Sequence, residues 1–404
     1  MSRIRFTSRS GLALVGDMEL PPGGDYRAAV LFAHCFTCNR NYKAVRNISR
    51  ELAVLGFAVL RFDFTGLGQS EGDFSDTTFS SNLDDLEDAA RWMEAHLRPP
   101  QVLVGHSLGG TAALAVAERL DSVHAVATIG SPSTPDRVIE HFSDQLETIE
   151  KQGSAEVRLA GRPFRIRRDF IEDARSHRLD ERLRKLRRAL LVLHGPTDEI
   201  VPVENAQQIF TAALHPKSFV SLDDADHLLS READSRYAGR VIASWAARFL
   251  SIDQPELETG VRVSGLTDDG FLCGLQSDSH RLVADEPESA GGGDQGPTPY
   301  DYLAAALGSC TVMTLNMYAR HKKLPVSRVQ CRVFHEKVHA EDCADCETST
   351  GKVDVLTREI CIEGEIDSAQ RRRMLEIADR CPVHRTLEGE IKIRTRESEA
   401  RDKR

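Results

Sequence analysis

Short, continuous apolar runs recur along the first 250 residues, separated by polar turns and by segments with helical spacing of apolar positions. Such runs, bounded by turn residues, are typical of strands buried on both faces in a parallel sheet covered by helices. The runs at 30–33, 101–104 and 189–193 predict three such strands, and residues 231–249 predict a long helix. The pattern therefore predicts an α/β fold for this part of the chain.

A serine between glycines lies at one predicted strand-to-helix junction. The sequence Gly-His-Ser-Leu-Gly-Gly at 105–110 follows the run at 101–104 and precedes an apolar helix predicted over 111–118. Glycines there permit a turn so tight that the serine hydroxyl is held clear of the backbone. The spacing predicts that Ser107 is a nucleophile.

Partners for this serine lie at the ends of later strands. Asp198 follows the run at 189–193, and His227 lies between the predicted strand 218–222 and the long helix. In this arrangement His227 takes the proton of Ser107, and Asp198 fixes the imidazole tautomer. We interpret the neighbouring titratable residues as a structural strand-end histidine and solvated turn carboxylates: His194, Asp223, Asp224 and Asp226.

The chain order of serine, aspartate and histidine resembles that of the α/β-hydrolase family, and the resemblance covers residues 1–252. It implies a mostly parallel sheet flanked by helices, with a small cap inserted at about residues 135–188. The turn Asp-Phe-Thr-Gly-Leu-Gly-Gln-Ser at 63–70 is similar to a structural turn of that family, in which glycines permit the tight reversal.

The turn after the run at 30–33 is where the family resemblance places half of an oxyanion hole. The implied donors are the backbone N–H groups of Phe36 and Leu108. Cys35 stands where the family usually has glycine. We interpret Cys35 as a small buried residue rather than a catalytic thiol.

The length and composition of the chain predict more than this one domain. At 404 residues, 41% of them hydrophobic, the chain is long enough for about two to three domains. It contains no run of 18 apolar residues, lacks an apolar secretory signal at its start, and has a net charge of −10. We therefore expect no membrane span and no general attraction to nucleic acid. Seven of nine cysteines lie beyond residue 270, which predicts a cytoplasmic protein with thiol or metal chemistry in its second half.

Residues 259–398 predict a second domain. Residues 261–265 and 270–275 predict the two strands of a hairpin, with a turn at 266–269 between them. A Thr-Pro pair at 298–299 suits the cap and first position of a helix. Because this helix is apolar nearly all round, we expect a buried central helix with Cys310 in its middle.

Two motifs in this domain, Gly-Pro-x-Pro followed by Cys310 and the later Cys381-Pro382-Val383, resemble those of the OsmC/Ohr family of bacterial thiol peroxidases. The resemblance implies an α+β domain in which Cys310 attacks an organic hydroperoxide and becomes a sulfenic acid. Cys381 then condenses with it to a disulfide, which an external dithiol reduces. The resemblance also implies an intertwined homodimer.

The reactive thiol of this family is supported by an arginine, which is held by a glutamate near the helix start. Tyr300 occupies the glutamate position with Asp301 beside it, and Arg281 is the candidate arginine. A physical argument favours the other thiol, because Cys381 lies at a predicted helix N-terminus that stabilises a thiolate. Loss of the glutamate favours an alternative, in which this half is a non-catalytic dimerisation or ligand-binding module.

A third cluster lies at residues 335–346. His339, Cys343 and Cys346 have ligand types suited to zinc. The two cysteines could instead form a redox pair, or belong to an exposed acidic loop. We expect no required cofactor.

The predicted cap is basic, since residues 151–188 contain 13 Lys and Arg against 6 Asp and Glu. This charge either steers an anionic ester or thioester toward Ser107 or forms a solvated helix face.

The sequence thus predicts a cytoplasmic serine hydrolase of small carboxyl esters or related acyl compounds, fused to a cysteine-based organic hydroperoxide reductase. Its expected partners are a small-molecule acyl substrate, an organic hydroperoxide, an external dithiol reductant and a second copy of the chain.

Overall fold

The computed structural model describes residues 2–36, 38–159, 162–250, 260–277, 280–340 and 350–398. The chain separates into two compact units, Met1–Val283 and Ala284–Arg404. The predicted domain boundary between residues 252 and 259 lies outside the described residues. Within the described part of the chain, none of the helices combines the length and apolar character needed to cross a lipid bilayer.

An eight-stranded sheet forms the framework of the first unit. The described residues before 222 form the strands β1 (Ser2–Thr7), β2 (Ala13–Glu19), β3 (Ala28–Ala33), β4 (Phe57–Phe62), β5 (Val102–His106), β6 (Ala125–Ile129), β7 (Ser154–Leu159), β8 (Arg162–Arg167), β9 (Ala189–His194) and β10 (Lys217–Ser221). The sheet has the order β1-β2-β4-β3-β5-β6-β9-β10. β1, β2 and β4 pair antiparallel, and all later pairs are parallel.

Helices cover both faces of this sheet. They are α1 (Lys43–Val54), α2 (Phe79–His96), α3 (Leu108–Val116), α4 (Ser143–Gln152), α5 (Arg168–Ser176), α6 (Leu179–Leu183), α7 (Glu204–Ala212) and α8 (Glu232–Ala246). Leu31 of β3 packs with residues of α2 and α3, whereas Val30 and Phe32 pack with residues of α1 and α8. Every residue of β3, β5, β6 and β9 is buried, which explains their unbroken apolar runs. The α/β prediction is confirmed.

The segment between β6 and β9 forms a small insert beside the carboxyl ends of the strands. It consists of a 3₁₀ segment (Pro135–Phe142), α4, the antiparallel hairpin β7–β8, α5 and α6. Phe142, Ile149 and Phe170 are buried in the same apolar cluster as the main helices. The insert is therefore packed on the sheet domain and positioned to cover its active edge.

Two more strand groups follow. β11 (Val261–Gly265) pairs antiparallel with β12 (Cys273–Ser277), as the sequence predicts, and β13 (His280–Ala284) completes a three-stranded sheet. The second unit then contains α9 (Pro299–Lys322), the long antiparallel pair β14 (Val326–His339) and β15 (Lys352–Gly364), α10 (Ser368–Ala378) and α11 (Pro382–Glu388).

Helix α9 is the central element of the second unit and packs on β14. Leu307, Thr311 and Leu315 are buried on one face of the helix. The other face is apolar as well, but Met313 is 64% and Met317 71% exposed in the single chain. The burial expected from the all-apolar sequence is thus one-sided within one copy of the chain.

Candidate active site

Ser107 occupies the turn between β5 and α3, with φ 54° and ψ −131°. This backbone conformation is strained for a residue with a side chain, and it points the hydroxyl away from the strand. A Cβ at Gly105 would lie 2.4 Å from the Gly109 carbonyl oxygen, and one at Gly109 would lie 2.3 Å from the His34 carbonyl oxygen. Backbone atoms therefore fill the space beside both glycines, which explains why residues without a side chain are required at these positions.

The three residues predicted as a triad come together at the end of the sheet. The Oγ of Ser107 lies 3.0 Å from Nε2 of His227, and Nδ1 of His227 lies 2.8 Å from Oδ2 of Asp198. His227 and Asp198 are buried, with 9% and 7% of their surfaces exposed. This is the hydrogen-bond relay of a serine nucleophile, a base and an orienting carboxylate.

Asp198 is held by its own backbone turn. Its Oδ1 accepts hydrogen bonds from the N–H groups of Ile200 and Val201, each at 2.9 Å. Burial alone would raise the pKa of Asp198, but the hydrogen bonds from His227, Val201 and Ile200 outweigh it and keep the pKa below its ordinary value. Asp198 is therefore ionised and aims Oδ2 at the histidine.

Two further buried histidines support the site from behind. Nε2 of His106 donates to the carbonyl oxygen of His227 at 2.7 Å. Nε2 of His194 donates to the carbonyl oxygen of Val201 at 2.8 Å, so His194 is structural, as interpreted from the sequence. Burial, with a further effect of His227, lowers the pKa of His106 to about 3. His106 is consequently a neutral hydrogen-bond donor that positions the backbone of His227.

Phe36 and Leu108, the predicted oxyanion-hole residues, both border the space above Ser107. Phe36 and Leu108 line the same cavity as Ser107 and His227. Among the residues that the structure describes, neither backbone N–H has a hydrogen-bond acceptor. Two unpaired donors beside a nucleophile can donate hydrogen bonds to a developing oxyanion.

The turn that carries Phe36 is closed by a disulfide between Cys35 and Cys38. Cys35 is 4% exposed, so its predicted burial is correct, but its interpretation as a simple small residue misses the covalent bond. The missed signal was the Cys-x-x-Cys spacing, which suits closure of a tight turn. Nδ1 of His34 adds a hydrogen bond to the Cys35 carbonyl oxygen at 2.8 Å.

The turn at 63–70 has the structural role expected from the sequence. Asp63 is fully buried and forms an ion pair with Arg40, which is 1% exposed. Oδ1 of Asp63 also accepts the backbone N–H of Arg40 at 2.8 Å, and Oδ2 that of Gln69 at 2.9 Å. Arg40 reaches Asp17 on β2 at 3.0 Å. This buried network ties the segment after the disulfide to the sheet.

A cavity of about 320 Å³ lies above the triad. Its floor contains Ser107 and His227, and its roof comes from the insert, through the 3₁₀ segment and β7. Most of the wall is apolar: Phe36, Leu108, Pro132, Val138, Leu159, Ile200, Val201 and Leu228. The charged or polar wall residues are Arg137, Glu140, His141, Arg158 and Asn205. The cavity suits a small molecule with a hydrocarbon portion.

The second unit brings its two predicted reactive thiols to neighbouring elements. Cys310 is half-buried in α9, and Cys381 is fully buried at the start of α11. Sγ of Cys381 lies 3.7 Å from Oγ1 of Thr311, the residue after Cys310. The backbone N–H of His384 donates to the same sulfur at 3.3 Å.

Arg358 of β15 is the cation in this cluster. It donates to Oγ1 of Thr311 at 3.0 Å and to Oδ1 of Asp379 at 2.8 Å, and it lies 3.0 Å from Nδ1 of His384. Because a guanidinium has only donors, that histidine nitrogen is the acceptor. Burial raises the pKa of the nearby Cys331 thiol, an effect that Arg358 partly offsets.

Of the predicted supporting residues, Tyr300 and Asp301 lie in the first turn of α9 and Arg281 lies on β13. Asp301 accepts the N–H and hydroxyl of Thr298 and so caps α9. Tyr300 stacks on His335, with ring centroids 4.3 Å apart. Arg281 lies on β13, in the first unit.

Two of the three proposed zinc ligands lie outside the residues that the structure describes. Cys343 and Cys346 lie outside the described residues, and His339 ends β14. No group of three metal-ligating side chains occurs within the described ranges.

Comparison with known proteins agrees with this geometry. Residues 30–241, more than half of the chain, match the model of a family described as alpha/beta hydrolase. The chain belongs to the alpha/beta hydrolase family. Residues 291–396 match the model of a second family, described as OsmC-like protein, so an OsmC-like domain follows the hydrolase domain. Both resemblances inferred from the sequence motifs are confirmed.

The hydrolase domain is similar to several known proteins. The esterase domain of a Rhodothermus marinus protein is 46% identical, and the match covers 61% of this chain and 98% of that domain with a TM-score of 0.52. A mitochondrial palmitoyl-protein thioesterase of Mus musculus, ABHD10, is 30% identical over 220 residues, which are 51% of this chain and 70% of the mouse protein. The solved structure of mouse alpha/beta hydrolase domain-containing protein 10, at 23% identity and a TM-score of 0.52, shares the fold; it covers 62% of this chain and all of that one.

Proposed function

We propose that the hydrolase domain cleaves small carboxyl esters and thioesters, with Ser107 as nucleophile, His227 as base and Asp198 as the residue that orients the base. The continuous hydrogen-bond relay from Ser107 to Asp198 at the floor of an apolar cavity carries this proposal. The similarity to an esterase domain and to a palmitoyl-protein thioesterase supports the ester and thioester class.

The reaction follows from the positions of the groups. His227 Nε2 accepts the proton as Ser107 Oγ attacks the acyl carbon, and the carbonyl oxygen becomes an oxyanion beside the N–H groups of Phe36 and Leu108. Collapse breaks the bond to the leaving alcohol or thiol, which receives the proton from His227. Water then attacks the acyl-serine by the same route and releases the carboxylic acid.

The test uses para-nitrophenyl butyrate and a fluorophosphonate probe on the full chain. Ser107→Ala should lower kcat by about a thousandfold or more and abolish labelling, because no other group can replace the attacking hydroxyl. Ser176→Ala is the matched control, since Ser176 is exposed and distant in sequence from the elbow. Retention of turnover and labelling by Ser107→Ala would contradict the proposal.

We infer a second activity for the OsmC-like domain, the reduction of organic hydroperoxides through Cys310 and Cys381. The observation that favours it is the placement of the buried Cys381 sulfur beside Thr311, within a cluster that contains the Arg358 guanidinium. A bare binding module would not need a cation and two thiols on adjoining helices. The alternative, a non-catalytic dimerisation or ligand-binding module, predicts no turnover.

The proposed redox cycle consumes one hydroperoxide and one external dithiol. The Cys310 thiolate attacks the O–O bond, which breaks to release an alcohol after protonation and leaves a sulfenic acid. The Cys381 thiol displaces water from the sulfenic acid and forms a disulfide. A dithiol reductant then restores both thiols and becomes a disulfide itself.

The decisive assay is consumption of cumene hydroperoxide by the full chain with a dithiol. Cys310→Ser should abolish turnover, whereas Cys361→Ser, which removes an exposed thiol on β15, should not. Equal background rates in the unmodified chain and in Cys310→Ser would support the binding-module alternative.

We further propose that the protein is a cytoplasmic homodimer in which a second copy covers the exposed face of α9. Met313 and Met317 are 64% and 71% exposed, an unusual position for large apolar side chains on a central helix. Sedimentation should give a dimer that Met317→Lys shifts toward the monomer. A monomeric unmodified chain would contradict this assembly.

A further inference from the structure

We propose that Arg158 of the insert anchors an anionic group of the substrate, so that the hydrolase prefers esters or thioesters that also carry a carboxylate or phosphate. This inference rests on the proposed hydrolase function, because it concerns what enters the cavity above Ser107. The basic composition of the insert does not show which of its cations contacts the substrate, and Arg158 is the side chain that we assign to this contact.

Several cations of the insert already have acidic partners on the protein surface. Arg167 pairs with Asp76 at 2.7 Å, Arg175 with Glu150 at 3.3 Å, and Arg182 with Glu118 at 2.8 Å. These side chains do not line the cavity. Much of the positive charge of the insert is therefore used in surface ion pairs, as expected for a solvated helix face.

Arg158 differs in both respects. It lines the cavity that contains Ser107 and His227. Among the residues that the structure describes, no acidic side chain forms an ion pair with it. Its neighbours on β7, Val157 and Leu159, are buried and fix the strand, while the Arg158 side chain is exposed. The guanidinium is thus presented by an anchored backbone and remains available to a ligand.

The other titratable groups of the cavity wall leave this charge uncompensated. Arg137 is paired with Glu140 at 2.7 Å, so these two charges cancel. Desolvation, with a contribution from His227, lowers the pKa of His141 below its ordinary value. Arg158 provides the net positive charge of the wall, beside an otherwise apolar lining.

This combination defines the ligand chemistry. The apolar wall accepts a hydrocarbon portion, and a guanidinium binds a carboxylate or phosphate through paired, charge-assisted hydrogen bonds. The anion can belong to the acyl group or to the leaving group, since both pass through one cavity. A neutral ester would gain only the apolar contacts.

Two substrate pairs distinguish these sources. The first pair places the anion in the acyl group: mono-para-nitrophenyl glutarate against para-nitrophenyl pentanoate. The second places it in the leaving group: the butyryl thioester of mercaptopropionate against that of mercaptoethanol. For each pair, kcat/KM is measured after subtraction of spontaneous hydrolysis, and the anionic-to-neutral ratio is the readout.

Arg158→Gln should lower this ratio by about fivefold to tenfold for at least one pair, the effect of one partly exposed charge-assisted contact. Added salt should lower the ratio of the unmodified chain and leave that of the variant nearly constant. Arg165→Gln is the matched control, because it removes one positive charge from the same hairpin on a side chain that does not line the cavity.

The outcomes distinguish a failure of the anion anchor from a failure of the hydrolase proposal. If the esters are hydrolysed and Arg158→Gln leaves both ratios unchanged, or Arg165→Gln lowers them equally, the anion anchor is refuted while the hydrolase proposal stands. If neither pair is hydrolysed and Ser107 is not labelled by fluorophosphonate, the hydrolase proposal itself fails, and the anion anchor fails with it.

Discussion

The Asp198→Asn substitution tests whether the triad works through the tautomer of its histidine. Oδ1 of Asp198 accepts two backbone N–H groups, and Oδ2 accepts Nδ1–H of His227. An asparagine must keep its single oxygen toward the two backbone donors, so its NH₂ group faces His227. Nδ1 of His227 then becomes an acceptor, and the ring proton moves to Nε2, where it blocks proton transfer from Ser107.

The expected magnitude is large because the wrong tautomer removes the base while leaving the structure intact. Loss of the correct tautomer lowers kcat by about 10⁴-fold, which corresponds to about 5 kcal/mol of transition-state free energy. The two backbone hydrogen bonds at Ile200 and Val201 survive, so the thermal unfolding midpoint should change little. KM should change less than kcat, because Asp198 does not line the cavity.

The assay is the steady-state hydrolysis of para-nitrophenyl butyrate, combined with thermal unfolding of the same preparations. A loss of less than about 30-fold in kcat, with the fold intact, would refute the tautomer argument. It would mean that His227 takes the proton of Ser107 without help from the Asp198 carboxylate.

Three further predictions concern residues around the site. Arg40→Ala should lower the free energy of unfolding by about 3–5 kcal/mol in urea denaturation, because it leaves the buried Asp63 carboxylate without its cation; a change below about 1 kcal/mol would contradict this. Gly109→Ala should sharply reduce kcat, since its Cβ would lie 2.3 Å from the His34 carbonyl oxygen; unchanged kinetics would contradict the packing argument. The ring signals of His106 in NMR spectra should not titrate between about pH 5 and 8, because its pKa is about 3. The unfolded chain takes up a proton below its ordinary histidine pKa of 6.5 while folded His106 does not, so stability should fall as the pH drops below 6.5, and less so in His106→Asn.

The hydrolase site was predictable from the sequence because each of its residues is marked by the short segment of sequence around it. Each of the residues Ser107, Asp198 and His227 directly follows a strand or its turn. Every residue of β5 and β9 is buried because both faces of these strands are covered. Parallel strands end at one edge of the sheet, which brings together side chains that are 29 and 120 residues apart. The geometry of the elbow also has a local cause in its flanking glycines.

The thiol cluster was only partly predictable, because its cation depends on strand register. Arg358 lies 47 residues from Thr311 and 26 from His384 along the chain. It reaches them through the pairing of β14 with β15, in which Val333 is opposite Arg358. No local spacing in the sequence shows this register, so sequence reasoning does not find Arg358. The one-sided burial of α9 has a similar origin, since an apolar helix does not reveal whether its partner is the same chain.

The Cys35–Cys38 disulfide makes the hydrolase domain sensitive to the reductant that the thiol peroxidase assay requires. A dithiol supplied to recycle Cys310 and Cys381 is also a reagent for the bond that closes the turn before Phe36. A dithiol buffer that reduces this bond gives the first domain a different covalent form from the one present in a buffer without thiol. Rates of the two reactions can be compared only when the thiol content at Cys35 and Cys38 has been counted in both buffers.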